Sequence, residues 1–162
     1  MGLGDALIGT WRLQSREDRL ESGALREEPT LGPDPLGLLI YDRAGNFAAQ
    51  FMKRERPAIV ASDAPATVAS ESDAGRAPAS ATLASNNSTA VGGYDAYFGT
   101  YTVDDATNLV TQRLVAALTL ADVGHVVTRE MHLVDGDLVI RVAMTASDGV
   151  PVVRTLRWRR EA

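Results

Sequence analysis

The chain alternates. Across Thr10–Arg16, Trp11, Leu13 and Ser15 fall on one side and Arg12, Gln14 and Arg16 on the other. A period of two is the mark of a half-buried strand. The same pattern, broken at regular intervals by Asp, Asn and Gly, recurs along most of the remaining sequence. Leu38–Tyr41 and Phe47–Met52 flank Asp42-Arg43-Ala44-Gly45-Asn46 and read as a hairpin. Tyr97–Val103 turns through Asp104–Asn108 into Leu109–Val115, and His125–Val134 turns through Asp135-Gly136 into Asp137–Thr145. Ser147-Asp148-Gly149 leads into a last strand, Val152–Arg160. Eight strands in meander order, evenly spaced, predict an all-β, antiparallel up-and-down barrel that packs solid or holds one small ligand. A short helical turn before Gly9 precedes the first strand.

Two stretches break the pattern. Gly23–Pro35 is a polar connection rich in Pro and Gly. Residues 57–92 are rich in Ala, Ser and Thr and contain no aromatic residue before the Tyr94 region; they read as a lid or loop insertion between the third and fourth strands. The whole of 1–162 is read as one domain.

The register of the Asp135-Gly136 hairpin sorts residues by face. A two-residue loop pairs Leu133 with Leu138 and Met131 with Ile140. Leu138, Ile140, Val142 and Met144 make the clean apolar face, so Met131, Arg129, Val127 and His125 face inward with them. An inward Arg keeps its charge and needs a carboxylate, water or an anionic ligand. Arg129 is therefore the leading candidate for a clamp on a carbonyl or anionic oxygen, against the alternative of a structural ion pair. His125 is a second candidate for acid/base work, and Tyr97 and Tyr101, which share a face, add hydroxyl handles to an apolar wall. Tyr41, Gln50, Met52, Phe98, Gln112, Met131, Ile140 and Val142 complete the expected ligand wall. Either face of the 38–52 hairpin is apolar enough to look inward. The carboxylates sit mainly in turns, and no inward carboxylate pair is expected.

Composition narrows the function classes. The 162 residues carry a net charge of −5 and no cysteine. Disulfides and thiolate sites are excluded, and two His on opposite faces make a metal site unexpected. With no basic stripe, nucleic acid is not an expected partner. No stretch is long and apolar enough to span a bilayer as a helix, and the N-terminus has no basic n-region, so a cytoplasmic protein is the expectation.

Three stretches carry a family resemblance. They are Leu7-Ile8-Gly9-Thr10-Trp11-Arg12-Leu13, Gly32-Pro33-Asp34-Pro35-Leu36-Gly37-Leu38-Leu39-Ile40-Tyr41, and the Gly-Tyr-x-x-Tyr-x-Gly-x-Tyr run from Gly93 to Tyr101. In this order they resemble the bacterial lipocalin-like domain family, of calycin type. The resemblance implies a barrel plugged by Trp11, with an Arg of the last strand, Arg157 or Arg159, packed across it. Members often carry His after the threonine matching Thr111, where this chain has Gln112. Barrels of this kind include ligand binders and cofactor-free enzymes of natural-product pathways. The expected function is thus binding of a small hydrophobic molecule bearing a carbonyl or anionic group, without a cofactor, either as an isomerase, cyclase or lyase or as a carrier. A homodimer is compatible with this reading, as is an interaction module with a filled core.

Overall fold

A computed structural model describes residues 2–56, 90–146 and 148–162. The expected lid falls mostly outside them. Among the described residues, a five-residue helix, α1 (Leu3–Leu7), leads into nine strands: β1 (Gly9–Leu20), β2 (Leu25–Arg26), β3 (Leu36–Tyr41), β4 (Asn46–Met52), β5 (Tyr94–Asp104), β6 (Leu109–Ala117), β7 (Val126–Val134), β8 (Asp137–Thr145) and β9 (Pro151–Arg160). Every pairing is antiparallel. Strand β1 pairs with β3 on one edge and β9 on the other, which closes eight long strands into a barrel. The two-residue β2 only extends the ladder at the far end of β1. Closure removes the free sheet edges through which open sheets aggregate. Among the described residues, no helix is long and apolar enough to cross a membrane.

Turn chemistry fixed the register where the turn is short. Asp135 (φ 54°) and Gly136 (φ 85°) both take the left-handed backbone of a type I′ turn. Val134 then pairs with Asp137, Leu133 with Leu138 and Met131 with Ile140, as the sequence predicts. At the next hairpin Tyr101 lies opposite Gln112. In the β3–β4 hairpin the inward set is Leu39, Tyr41, Phe47, Ala49 and Phe51, all buried.

Two bulges change the picture. The β1–β9 register shifts between Leu13 and Ser15. Trp11 and Leu13 face inward before it; Arg16 and Asp18 are buried after it. The uniform alternation expected across Thr10–Arg16, with Arg16 outward, is corrected accordingly. A bulge adds one residue to one strand and so exchanges its faces. The second shift lies between Phe98 and Gly99 on β5, where a Cβ on Gly99 would stand 1.8 Å from the Arg113 carbonyl oxygen. Gly99 is there because the neighbouring backbone occupies the space a side chain would need.

One end of the barrel is plugged. The Trp11 indole donates to the Leu7 carbonyl at 2.8 Å, and the Arg160 guanidinium lies 4.5 Å over the Trp11 ring. Arg160 also donates to the carbonyls of Ile8 (2.6 Å) and Ala6. This corrects the assignment to Arg157 or Arg159, which point outward on β9 and flank Asp137 instead. Alternation puts Val152, Arg154, Leu156 and Trp158 inside, and Arg160 continues that side.

Candidate functional site

The opposite end of the interior is lined with charge. Arg154 grips Asp18, its direct cross-strand partner, through two hydrogen bonds of 2.7 Å, with both side chains almost wholly buried. Arg16 reaches Glu28 of the β2–β3 connection at 2.7 Å. Glu28 also accepts from the Thr30 hydroxyl and from the amides of Thr30 and Leu31. Burial opposes its charge, but the Thr30 bonds and Arg16 outweigh that and hold the carboxyl below its ordinary range. Burial, then the nearby Arg154, lowers the Arg16 guanidinium. This layer ties the connection over the barrel end.

Below it runs a polar relay. Arg129 on β7 is 7% exposed, and its Nε donates to the Gln112 amide oxygen at 2.8 Å. The Gln112 amide nitrogen donates to the Tyr41 hydroxyl at 2.8 Å, and that hydroxyl contacts the Met131 sulfur at 3.7 Å. Burial drives the Tyr41 hydroxyl far up, so it stays protonated. Each link fixes the next: Tyr41 sets the Gln112 amide, and Gln112 sets the guanidinium plane. The relay borders an internal cavity of about 20 Å3, lined also by Tyr97, Ile140, Leu156 and Trp158. That is room for roughly one water.

Two carboxylates that the sequence reading passed over lie near this point. Asp95 follows Tyr94 at the start of β5, on the same side as Tyr97, and is only 1% exposed. Among the described residues, none donates a hydrogen bond to its Oδ2. Burial and then the charge of buried Asp122 raise the Asp95 carboxyl to about 6, against the pull of Arg16 and Arg129. Asp122 belongs to a 3-10 turn, Leu120–Asp122, between β6 and β7. Asp95 is thus an inward carboxylate on a strand, with Asp122 a nearby charge from a turn. The available signal was parity: Asp95, Tyr97 and Tyr101 are two and four residues apart.

The other sequence candidates separate clearly. Tyr97, Gln112, Arg129 and Ile140 meet at the cavity together with Tyr41, while Met131 is buried beside Tyr41 and Val142 packs against the core. Tyr101 stacks edge-on against Tyr41 with centroids 4.8 Å apart, but its hydroxyl donates to the Asp42 carbonyl. His125 precedes β7 at the rim, half exposed, with Nδ1 3.8 Å from Asp122 Oδ1. Gln50, Met52 and Phe98 do not reach the interior. Their neighbours Phe51, Ala49 and Tyr97 occupy the inward positions, so alternation turns these three outward. Their placement in the ligand wall is corrected.

A closed meander barrel with an aromatic plug at one pole and a buried guanidinium facing a cavity belongs to the architecture of small-molecule-binding barrels. The chain matches the family model of the lipocalin-like domain over residues 8–161 and belongs to that family. No curated protein matches it.

The raised Asp95 carboxyl makes stability depend on pH. A folded-state value of about 6 lies above that of an unfolded aspartate, so the folded chain holds this proton more tightly. Its favourable share is complete below about pH 4 and is lost as pH rises through about 6, a difference of about 3 kcal/mol. Asp95→Asn is expected to remove that share of the decline and to raise the melting temperature at pH 7.5. Thermal unfolding of both proteins from pH 4 to 8 checks this; parallel profiles would contradict it.

Proposed function

We propose that the barrel binds a small, largely apolar organic molecule through one carbonyl or anionic oxygen held by Arg129. The observation that carries this reading is the Arg129–Gln112–Tyr41 relay at the cavity wall. Gln112 and Tyr41, on two further strands, fix the guanidinium at a cavity whose other lining residues are mostly apolar. Because the resting cavity is about 20 Å3, the molecule enters by displacing side chains, and among the lining residues Leu156 lies directly opposite Arg16 of the charged end.

The same groups suit cofactor-free chemistry of the isomerase, cyclase or lyase kind. Arg129 would stabilise negative charge developing on the held oxygen, and Asp95 would exchange a proton near neutral pH. The alternative is a carrier that returns its molecule unchanged. The small cavity favours a further reading, a filled barrel that acts through its outer surface.

Trp158 lines the cavity and reports on it. Decanoate, an apolar chain with one carboxylate, is expected to change the tryptophan fluorescence of the wild type. Arg129→Met should weaken binding about tenfold or more, as loss of a charge-assisted bond implies, while far-ultraviolet circular dichroism remains that of the folded barrel. Native mass spectrometry of the purified chain then looks for a co-purifying molecule, and incubation with that molecule separates enzyme from carrier. A fluorescence response equal in both proteins would remove Arg129 from the site. No response, with no co-purifying molecule, would favour the filled barrel.

A further inference from the structure

The outer surface of β3–β6 carries a row of apolar side chains. Pairing brings Ile40, Ala48, Phe98 and Ala116 into one row across four strands. All four point outward and none is charged. Elsewhere the outward positions carry Glu17, Arg19, Glu130, Arg141, Arg157 and Arg159. Phe98 is 54% exposed and Val115 beside it 55%. Exposed apolar surface that continues across neighbouring strands marks a contact face.

Phe98 stands as a ridge between two hollows. One, of about 400 Å3, is lined by Ile40, Ala48, Gly99 and Val115, with Asp42 and Asn46 also bordering it. The other, of about 250 Å3, is floored by Ala96 and Ala116 and walled by Leu118. Small residues on either side of a large one create both the knob and the sockets. A twofold axis through such a face seats each Phe98 in the hollow of the other copy, the isologous arrangement of most homodimers.

We infer that this face is the contact surface of a homodimer, with Phe98 as its anchor. This inference is independent of what the barrel binds. Other occupants fit less well. An extended peptide would need an open sheet edge, and the closed barrel offers none among its long strands. An anionic membrane would favour a basic rim, whereas the chain carries a net charge of −5. Four strands at about 4.8 Å spacing and some 20 Å of strand length give roughly 400 Å2 per copy before relief is counted. With Phe98 and Val115 inserted, the total reaches about 1,000 Å2, the low end for specific association. The dimer should therefore be reversible and dependent on concentration.

Sedimentation velocity on the full chain, from low micromolar to near-millimolar concentration, tests the inference. The wild type should shift from monomer to dimer. Phe98→Asp and, separately, Val115→Glu should each raise the dissociation constant at least about tenfold, as expected for a buried anchor. Both positions are exposed in one copy, so circular dichroism should stay that of the folded protein. A wild type that stays monomeric throughout overturns the inference. So does a dimer whose constant neither variant changes, or a monomer that instead cosediments with phosphatidylcholine vesicles.

Discussion

Replacing Gly99 with alanine is expected to unfold the barrel or bring it to the edge of unfolding. The added Cβ would lie 1.8 Å from the Arg113 carbonyl oxygen and 2.9 Å from the Val115 nitrogen. Both atoms are backbone, held in the β5–β6 ladder, so no rotamer change relieves the clash. The strands must separate at the bulge, and the Gly99–Leu114 pairing goes with it. Overpacking of this kind against a rigid neighbour costs on the order of 4 kcal/mol. In a domain of this size that lowers the melting temperature by roughly 10 °C or more. Thr100→Ala, one residue along and facing outward, should change stability by no more than about 0.5 kcal/mol. Differential scanning calorimetry of the two variants makes the comparison; equal melting temperatures would show that the bulge yields freely.

The second large effect is expected at Arg154. Arg154→Met removes one half of a buried pair whose other half, Asp18, has its side chain about 2% exposed. A carboxylate left uncompensated at that depth costs about 3 to 5 kcal/mol. Asp18→Leu alone should be comparably severe, because Arg16 and Arg154 already oppose one another there. The double variant Asp18→Leu, Arg154→Met should recover most of the loss, since an apolar pair of similar volume leaves no charge stranded. Urea denaturation of the four proteins closes the cycle. A double variant as unstable as the sum of the singles would mean that the pair acts through shape and not through charge.

The sequence revealed the fold where local rules act alone. Asp135-Gly136 demands a two-residue turn, and that turn sets the inward face of β7 and β8 and so the position of Arg129. The structure places Gln112 opposite Tyr101 across the hairpin that the Asp104–Asn108 turn closes. The hairpin at 38–52 resisted because both of its faces are apolar; one builds the core and the other builds the exposed patch around Phe98. Only burial tells them apart. Strand β1 resisted for the opposite reason. From Gln14 to Arg19 both faces are polar, so the bulge leaves no trace in the alternation, and the inward turn of Arg16 and Asp18 cannot be read locally. Asp18 is matched 136 residues away by Arg154, and Arg16 by Glu28 of the β2–β3 connection. Asp95 was legible through its spacing from Tyr97. Asp122 was not, because it reaches Asp95 from a turn rather than from a strand.

The course of β1 has a consequence for how the molecule breathes. Within one strand the chain passes from a dry section around Trp11, clasped by Arg160, to a section of paired ions around Arg16 and Asp18. Ionic contacts lose little when water arrives to replace them, whereas the aromatic clasp can only lose by wetting. The cylinder is therefore asymmetric in what closes it: a cation stacked on an aromatic ring at one pole, and at the other a layer of paired ions beneath the β2–β3 connection.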